Sequence, residues 1–324
     1  MCRIDMREFI IGPNDAGQRF DKYLFKLLKN AGNGLIFKQL RNKNITLNNA
    51  KSKGSEILKE KDIVKVFMAD DTIDKFMGKN EALLIKPVNN RLKIVFENED
   101  IILADKPIGV LSQKANPNDV SMNEYLLDYR ASFVQGESTF KPAFCNRLDR
   151  NTSGMMVGGL SLKGLQRMSE IIKDRSLQKY YLAIVNGRIT EDTVLKGYLL
   201  KDEKTNKVTI RNEKFADAEY IHTEFKSLAY KDGLSLIKVH LITGKTHQIR
   251  AHLAFNGHGI LGDNKYGDAS INKKYGVKGQ LLHSYQLIFP KMEDFKDISG
   301  KTISTEYPKS FERYFSYDEI KERL

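Results

Sequence analysis

At 324 residues and 41% hydrophobic content, the chain is long enough to bury two cores of ordinary size rather than one. Lysine and arginine total 53 against 41 acidic residues, a net charge of +12 that points to a polyanionic partner. Two cysteines, Cys2 and Cys145, exclude a disulfide framework and a four-thiolate metal site, and no stretch reaches the roughly 18 apolar residues needed to span a bilayer.

The start, Met1-Cys2-Arg3-Ile4-Asp5-Met6-Arg7-Glu8, turns polar at once and lacks the apolar core of a signal peptide, so a cytoplasmic setting is expected. Positions 17–69 hold twelve Lys/Arg against four Asp/Glu, most of the excess charge. This stretch opens with a predicted helix, because Phe20, Leu24, Leu27 and Leu28 form one apolar stripe. Lys22, Lys26 and Lys29 lie off the stripe, so they can face a phosphate backbone. The helix ends over Asn30–Gly34, and a second runs from about Leu35 to Leu40. Ile45-Thr46-Leu47, a turn at Asn48-Asn49 and a strand over Ile63–Phe67 complete the unit.

This helix–helix–strand order, headed by Gly17-Gln18-Arg19-Phe20-Asp21, resembles the S4 RNA-binding domain, with Leu47-Asn48-Asn49 in place of that family's V-N-G-like turn. The resemblance implies RNA contacts from Arg19, Lys22 and Lys26. A bland alternative is a small basic domain with no RNA role. From Asp70 to Asn90 the pattern weakens and a linker is expected.

Beyond the linker the chain turns β-rich. Ile94–Phe96 and Ile101–Ala104 flank Glu97-Asn98-Glu99-Asp100 as a hairpin. Leu162, Leu165, Met168 and Ile172 mark an amphipathic helix, and Tyr181, Ala183 and Val185 alternate along a strand over 180–185. Strands and helices mix without a regular β-α alternation, which predicts an α+β fold rather than a doubly wound sheet.

The segment Asn146-Arg147-Leu148-Asp149-Arg150-Asn151-Thr152-Ser153-Gly154 sets a carboxylate between two guanidinium groups. Such neighbours favour an ionised, nucleophilic carboxylate at neutral pH, although Arg-Asp-Arg trios are also common as surface ion pairs worth little. The segment resembles the H-R-L-D-x-x-T-S-G signature of the RluA-type pseudouridine synthases. Further blocks match that family in order: Asp105-Lys106-Pro107-Ile108-Gly109; Lys179, Tyr181, Ala183, Val185 and Gly187; Gly244-Lys245-Thr246-His247-Gln248-Ile249-Arg250 with His252-Leu253. Gly262-Asp263 with Tyr266-Gly267, and Leu282-His283-Ser284, close the series.

The resemblance implies a domain over 91–324 with a bent, mostly antiparallel mixed sheet, preceded by the S4-like domain over 1–69 and the linker over 70–90. It implies conversion of uridine to pseudouridine in RNA, with large-subunit ribosomal RNA the first expectation and transfer RNA the second. Asp149 matches the family's essential aspartate, Tyr181 the aromatic residue that stacks on the base and helps take the C5 proton, and Arg250 the arginine that pairs with the aspartate. Arg147 matches the arginine that fills the gap left by the extruded base. Arg150, Lys179, Lys245, His247 and Gln248 complete the expected RNA contacts. Asn146 and Asn151 depart from the family's His and Asp, which puts RNA contacts, not chemistry, in question.

No cofactor is expected, since the isomerisation needs no redox change and Gly154, Gly158 and Gly159 form no dinucleotide loop. No metal is expected either. His247 and His252 stand about 140° apart on a helix, so these two and His258 read as hydrogen-bonded structural residues. Asp149 with Asp263 as a glycoside-hydrolase pair explains neither the basic N-terminal unit nor the arginine and tyrosine. A non-catalytic ribosome-assembly factor would have no need of Asp149, Tyr181 and Arg250 together. The expected protein is a monomer that binds RNA and no membrane.

Overall fold

The computed structural model describes residues 5–78, 92–131 and 139–324. The N-terminal unit runs β1 (Arg7–Ile10), α1 (Phe20–Leu27), α2 (Asn33–Arg41), β2 (Ile45–Leu47), β3 (Ala50–Lys51) and β4 (Ile63–Val66). Its four strands pair antiparallel in the order β1-β4-β2-β3. The apolar stripe of α1 packs with Ile36 and Leu40 of α2 and with Ile45, Val64 and Val66 of the sheet, one buried core. Burial of each such side chain stabilises by about 1.5–3 kcal/mol. Asn48 and Asn49 adopt left-handed backbone, φ 50° and 62°, as a two-residue hairpin between right-twisted strands requires. Lys22 and Lys26 stay exposed on the far side of α1, and Lys29 is exposed just past its end.

The expected linker is not one over its first part. Asp70–Met77 forms a helix, α3, that closes the N-terminal core through Ile73. Arg7 of β1 ties it down, bonding Asp70 at 2.7 Å and Asp74 at 2.6 Å. The apolar positions Ile73, Phe76 and Met77 do fall at i, i+3 and i+4, but one short turn of pattern among three aspartates reads as polar chain. Positions 79–90 of the expected linker lie outside the described residues.

The larger unit continues with β5 (Lys93–Glu97), β6 (Ile101–Lys106), α4 (Met122–Ala131), β7 (Ala143–Phe144), β8 (Ser153–Gly159), α5 (Leu162–Lys173) and β9 (Gln178–Asn186). Then follow β10 (Thr193–Asp202), β11 (Lys207–Arg211), β12 (Glu219–Lys231), β13 (Leu234–Leu241), α6 (Gln248–Phe255), α7 (Ala269–Lys274), β14 (Leu282–Ile288), β15 (Thr302–Ser304) and α8 (Tyr317–Lys321). Eleven strands make one sheet, ordered β11-β10-β12-β13-β9-β14-β8-β6-β5, with β15 on β14 and β7 on β8. Among the described residues every pair is antiparallel except β14 with β8, so the sheet is large, mixed and mostly antiparallel.

Strand β9 is central and apolar on both faces. Tyr181, Ala183 and Val185 join one core with Met122 of α4 and with Ile249 and Leu253 of α6. Leu182 and Ile184 enter another beneath the C-terminal segment. Farther out the sheet has one covered face only. On β12, Ile221, Thr223 and Phe225 are buried while Tyr220, His222, Glu224 and Lys226 alternate with them toward solvent. No helix among the described residues is long and apolar enough to cross a membrane.

Candidate active site

Asp149 lies on the loop that leads from β7 into β8, and the segment after β6 grips that loop on both sides of it. Ser112 Oγ donates to Leu148 O at 2.7 Å and accepts from Leu148 N at 2.9 Å. Lys106 Nζ donates to Arg150 O at 3.0 Å, to Pro107 O at 3.0 Å and to Val110 O at 2.7 Å. Gly109 N donates to Arg150 O as well, at 2.8 Å. Lys106 is completely buried, and burial pulls its ammonium down to about 8 against the opposing pull of Asp149 and Asp105. The sequence placed Lys106 in a motif but carried no sign of this clamp, since its side chain bonds backbone carbonyls, which carry no residue signature. Strand β8 then starts where only glycine fits. Gly154 has φ 108°, and a Cβ there would stand 2.3 Å from Ser284 O of the parallel neighbour β14.

Arg250, on α6, supplies the partner of Asp149. Its Nη1 donates to Asp149 Oδ2 at 2.6 Å, while Nε and Nη2 donate to Asp263 Oδ2 and Oδ1 at 2.7 and 2.8 Å. Burial opposes the guanidinium charge, but the two carboxylates outweigh it and hold the Arg250 pKa above its ordinary value. Burial would likewise raise Asp263, yet its bonds to Arg250 keep it below the usual carboxylate range. The Asp149 side chain remains 27% exposed, and among the described residues no hydrogen bond reaches its second oxygen.

The start of α6 is strained into place. His247, the residue before the helix, has φ 55°, a left-handed conformation that costs a non-glycine residue on the order of 1 kcal/mol or more. Its ring lies beside the site: Nε2 is 4.0 Å from Asp149 Oδ2, and Nδ1 is 2.9 Å from Tyr266 Oη. Tyr266 Oη accepts from Val208 N, so its own proton can go to Nδ1, which leaves the imidazole proton on Nε2 toward Asp149. Burial lowers the His247 pKa, with Asp149 opposing and Arg250 assisting, which agrees with a neutral ring.

Tyr181, on central strand β9, is 5% exposed on the same side of the sheet as α6. Burial, reinforced by Asp149 and offset in part by a hydrogen bond with Ser284, pushes its phenol up to about 12. Asp149, Arg250 and Tyr181, separated by up to 101 positions in the chain, therefore meet in one place.

The remaining expected residues divide. Arg147 and Arg150 flank Asp149 and are exposed, but neither pairs with it among the described residues; Arg150 acts on Asp119 instead. Gln248, expected at the RNA, is buried, with Oε1 accepting from Thr243 Oγ1 and Lys245 N and Nε2 donating to His222 O and Thr223 Oγ1. Lys179 is also buried, its pKa lowered first by burial and then by Arg175. Lys245 pairs with Glu219, and Arg19 with its neighbour Asp21 at 2.6 Å. Lys22 and Lys26 remain exposed, Lys26 donating to Gln18 Oε1 at 2.8 Å. Asn146, in place of the family's His, accepts from Val157 N at 2.8 Å and so braces β8. His252 bonds Thr223 Oγ1 and His258 bonds Asn186 O, inside the fold.

The site thus joins a partly exposed carboxylate, a buried arginine and a buried tyrosine on a basic chain. The family model described as RNA pseudouridylate synthase matches residues 100–255, from the start of β6 to the end of α6. The chain belongs to the RNA pseudouridylate synthases, which are isomerases. It is 34% identical to an RNA pseudouridine synthase of Mycoplasma genitalium over 297 residues, 89% of this chain and 91% of that protein. It is 29% identical over 287 residues to the ribosomal large subunit pseudouridine synthase C of Pasteurella multocida, covering 86% of this chain and 84% of that one. In fold it resembles human RNA pseudouridylate synthase domain containing 1, with a TM-score of 0.56 at 22% identity over 72% of this chain and 94% of that one.

Proposed function

We propose that this protein converts uridines of large-subunit (23S) ribosomal RNA to pseudouridine, with Asp149 as its carboxylate nucleophile. The observation that carries the reading is the bond between Asp149 Oδ2 and Arg250 Nη1 at 2.6 Å, which leaves Oδ1 with no hydrogen-bond partner among the described residues in a partly exposed carboxylate. The ribosomal choice draws on the likeness to the Pasteurella synthase, which extends over a span longer than residues 91–324. It also draws on the basic N-terminal unit, which we take as an S4-like domain with Lys22 and Lys26 toward the phosphates.

The target base must leave its stack to reach Asp149, at a cost of a few kcal/mol, and the exposed Arg147 guanidinium fills the gap it leaves. Arg250 holds Asp149 in place through the bond from Nη1 to Oδ2. Asp149 then attacks C1′ as the C1′–N1 bond breaks, and the freed uracil turns against the Tyr181 ring until C5 bonds to C1′ and displaces the Asp149 oxygen. Bond formation at C5 leaves one proton to remove while N1 gains one. Because burial keeps Tyr181 protonated, its hydroxyl acts as a relay, taking the C5 proton as it gives up its own, rather than as a free phenolate.

The test is tritium release from C5-labelled uridine in ribosomal and transfer RNA, wild type against Asp149→Ala. Release from ribosomal RNA by wild type alone supports the proposal. Release from transfer RNA only moves the substrate to that class. RNA binding without release from either makes the chain a binding protein.

A further inference from the structure

The outward face of the β10–β13 half of the sheet lies opposite the side that holds Asp149 and Tyr181, and the reaction makes no use of it. Cross-strand register puts Tyr198 of β10 directly opposite Tyr220 of β12, Glu224 of β12 opposite His240 of β13, and His240 opposite Tyr180 of β9. Directly opposed residues share a face, so these rings line one surface across four strands. They form a chain. Tyr198 and Tyr220 meet edge to face at 5.9 Å, Tyr220 and His222 at 6.5 Å, and Tyr180 stacks on His240 at 4.4 Å with 13° between planes. Tyr220 is 44% exposed, an aromatic ring left in water.

Basic groups lie between the rings. Lys238 reaches over Tyr180 at 5.1 Å and Tyr285 at 5.9 Å, and Lys196 is opposite His222. Lys226 and Lys238 stand directly opposite each other, a like-charge pair that destabilises the ladder on its own. Neither has a carboxylate partner among the described residues, and a polyanion laid across both would relieve the repulsion. Glu224, a carboxylate among these rings, is already held between His222 at 3.1 Å and His240 at 3.2 Å.

We infer that this outward sheet face is a second RNA-contact surface, which stacks two unpaired bases of the substrate on Tyr198 and Tyr220 while Lys196, Lys226 and Lys238 follow the phosphates. Four strands at about 4.8 Å spacing give a platform about 14 Å wide, room for that number of bases. Stacking tolerates any base, so the surface adds affinity for single-stranded segments outside the target loop and leaves the choice of uridine to the cleft. The inference rests on RNA being the substrate.

The probe is fluorescein-labelled single-stranded oligoadenylate of about a dozen nucleotides, which contains no uridine and so takes no part in the reaction. Full-length wild type is compared by anisotropy with Tyr198→Ala/Tyr220→Ala and with Lys196→Glu/Lys226→Glu, and ultraviolet crosslinks are mapped to peptides. All four positions are partly or fully exposed, and unchanged melting temperatures confirm folding. Both variants are expected to bind about tenfold more weakly or worse, with wild-type crosslinks in β10 and β12. Wild-type affinity in both variants, or crosslinks confined to residues 17–69, overturns the inference. If the variants lose affinity while wild type releases no tritium from any RNA, the surface stands and the proposed reaction falls. If tritium is released and the variants bind normally, only the surface falls.

Discussion

Asp263 aims Arg250. The carboxylate accepts from Nε at 2.7 Å and Nη2 at 2.8 Å, which fixes the plane of the guanidinium and leaves Nη1 for Asp149. Asp263 is wholly buried, with no exposed side-chain area, so its removal leaves the buried guanidinium with Asp149 alone and two donors unpaired. Asp263→Ala is expected to lose about 3–5 kcal/mol of stability in urea unfolding. Tritium release should fall about a hundredfold or more, although Asp149 is untouched. A variant as stable and active as wild type would show that Arg250 needs no such anchor.

Tyr181 offers a ring and a hydroxyl, and Tyr181→Phe separates them. The ring keeps its place in the core with Ala183 and Val185, so folding and RNA affinity should hold. Loss of the relay should slow tritium release by about a hundredfold to ten-thousandfold. Release at the wild-type rate would limit Tyr181 to stacking.

Two buried histidines make the fold sensitive to acid. Burial lowers His283 to about 3 and His252 to about 4, so both stay neutral in the native state. In the unfolded chain each takes up a proton below about 6.5. Between there and about 4 the unfolded state binds more protons, and stability is lost as pH falls, by about 1.4 kcal/mol per pH unit for each histidine. Urea midpoints measured from pH 7 to pH 4.5 should therefore drop, and His252→Gln should flatten the slope by about one proton. A flat profile would mean that neither ring is held neutral.

RNA affinity should fall steeply with salt, because the proposed contacts are to phosphates. Lys22→Ala/Lys26→Ala should weaken binding and lower the slope of log affinity against log salt by about two, with the rate of the bound complex unchanged. An unaltered slope would remove α1 from the RNA interface.

Much of this protein could be read from its chain, for a reason that differs from part to part. The α1 stripe, the Asn48-Asn49 turn and the alternation of β9 are local patterns, set by periodicity and by the backbone conformations that each residue type tolerates. The site blocks around Asp149, Tyr181 and Arg250 were visible as motifs, and the bond between Asp149 and Arg250 was expected from the family they resemble. What the chain could not decide was which way a polar side chain turns. Arg147 and Arg150 adjoin Asp149 yet leave its pairing to a residue 101 positions away, while Gln248, beside His247, turns inward to tie α6 to β12. Likewise α3 became a helix because the N-terminal core had room for Ile73 and Arg7 could reach two aspartates more than sixty residues on. Sequence spacing determines which face of an element a residue occupies; the partner waiting at that face, and hence the charge and bonds of the site, is set only when distant segments pack.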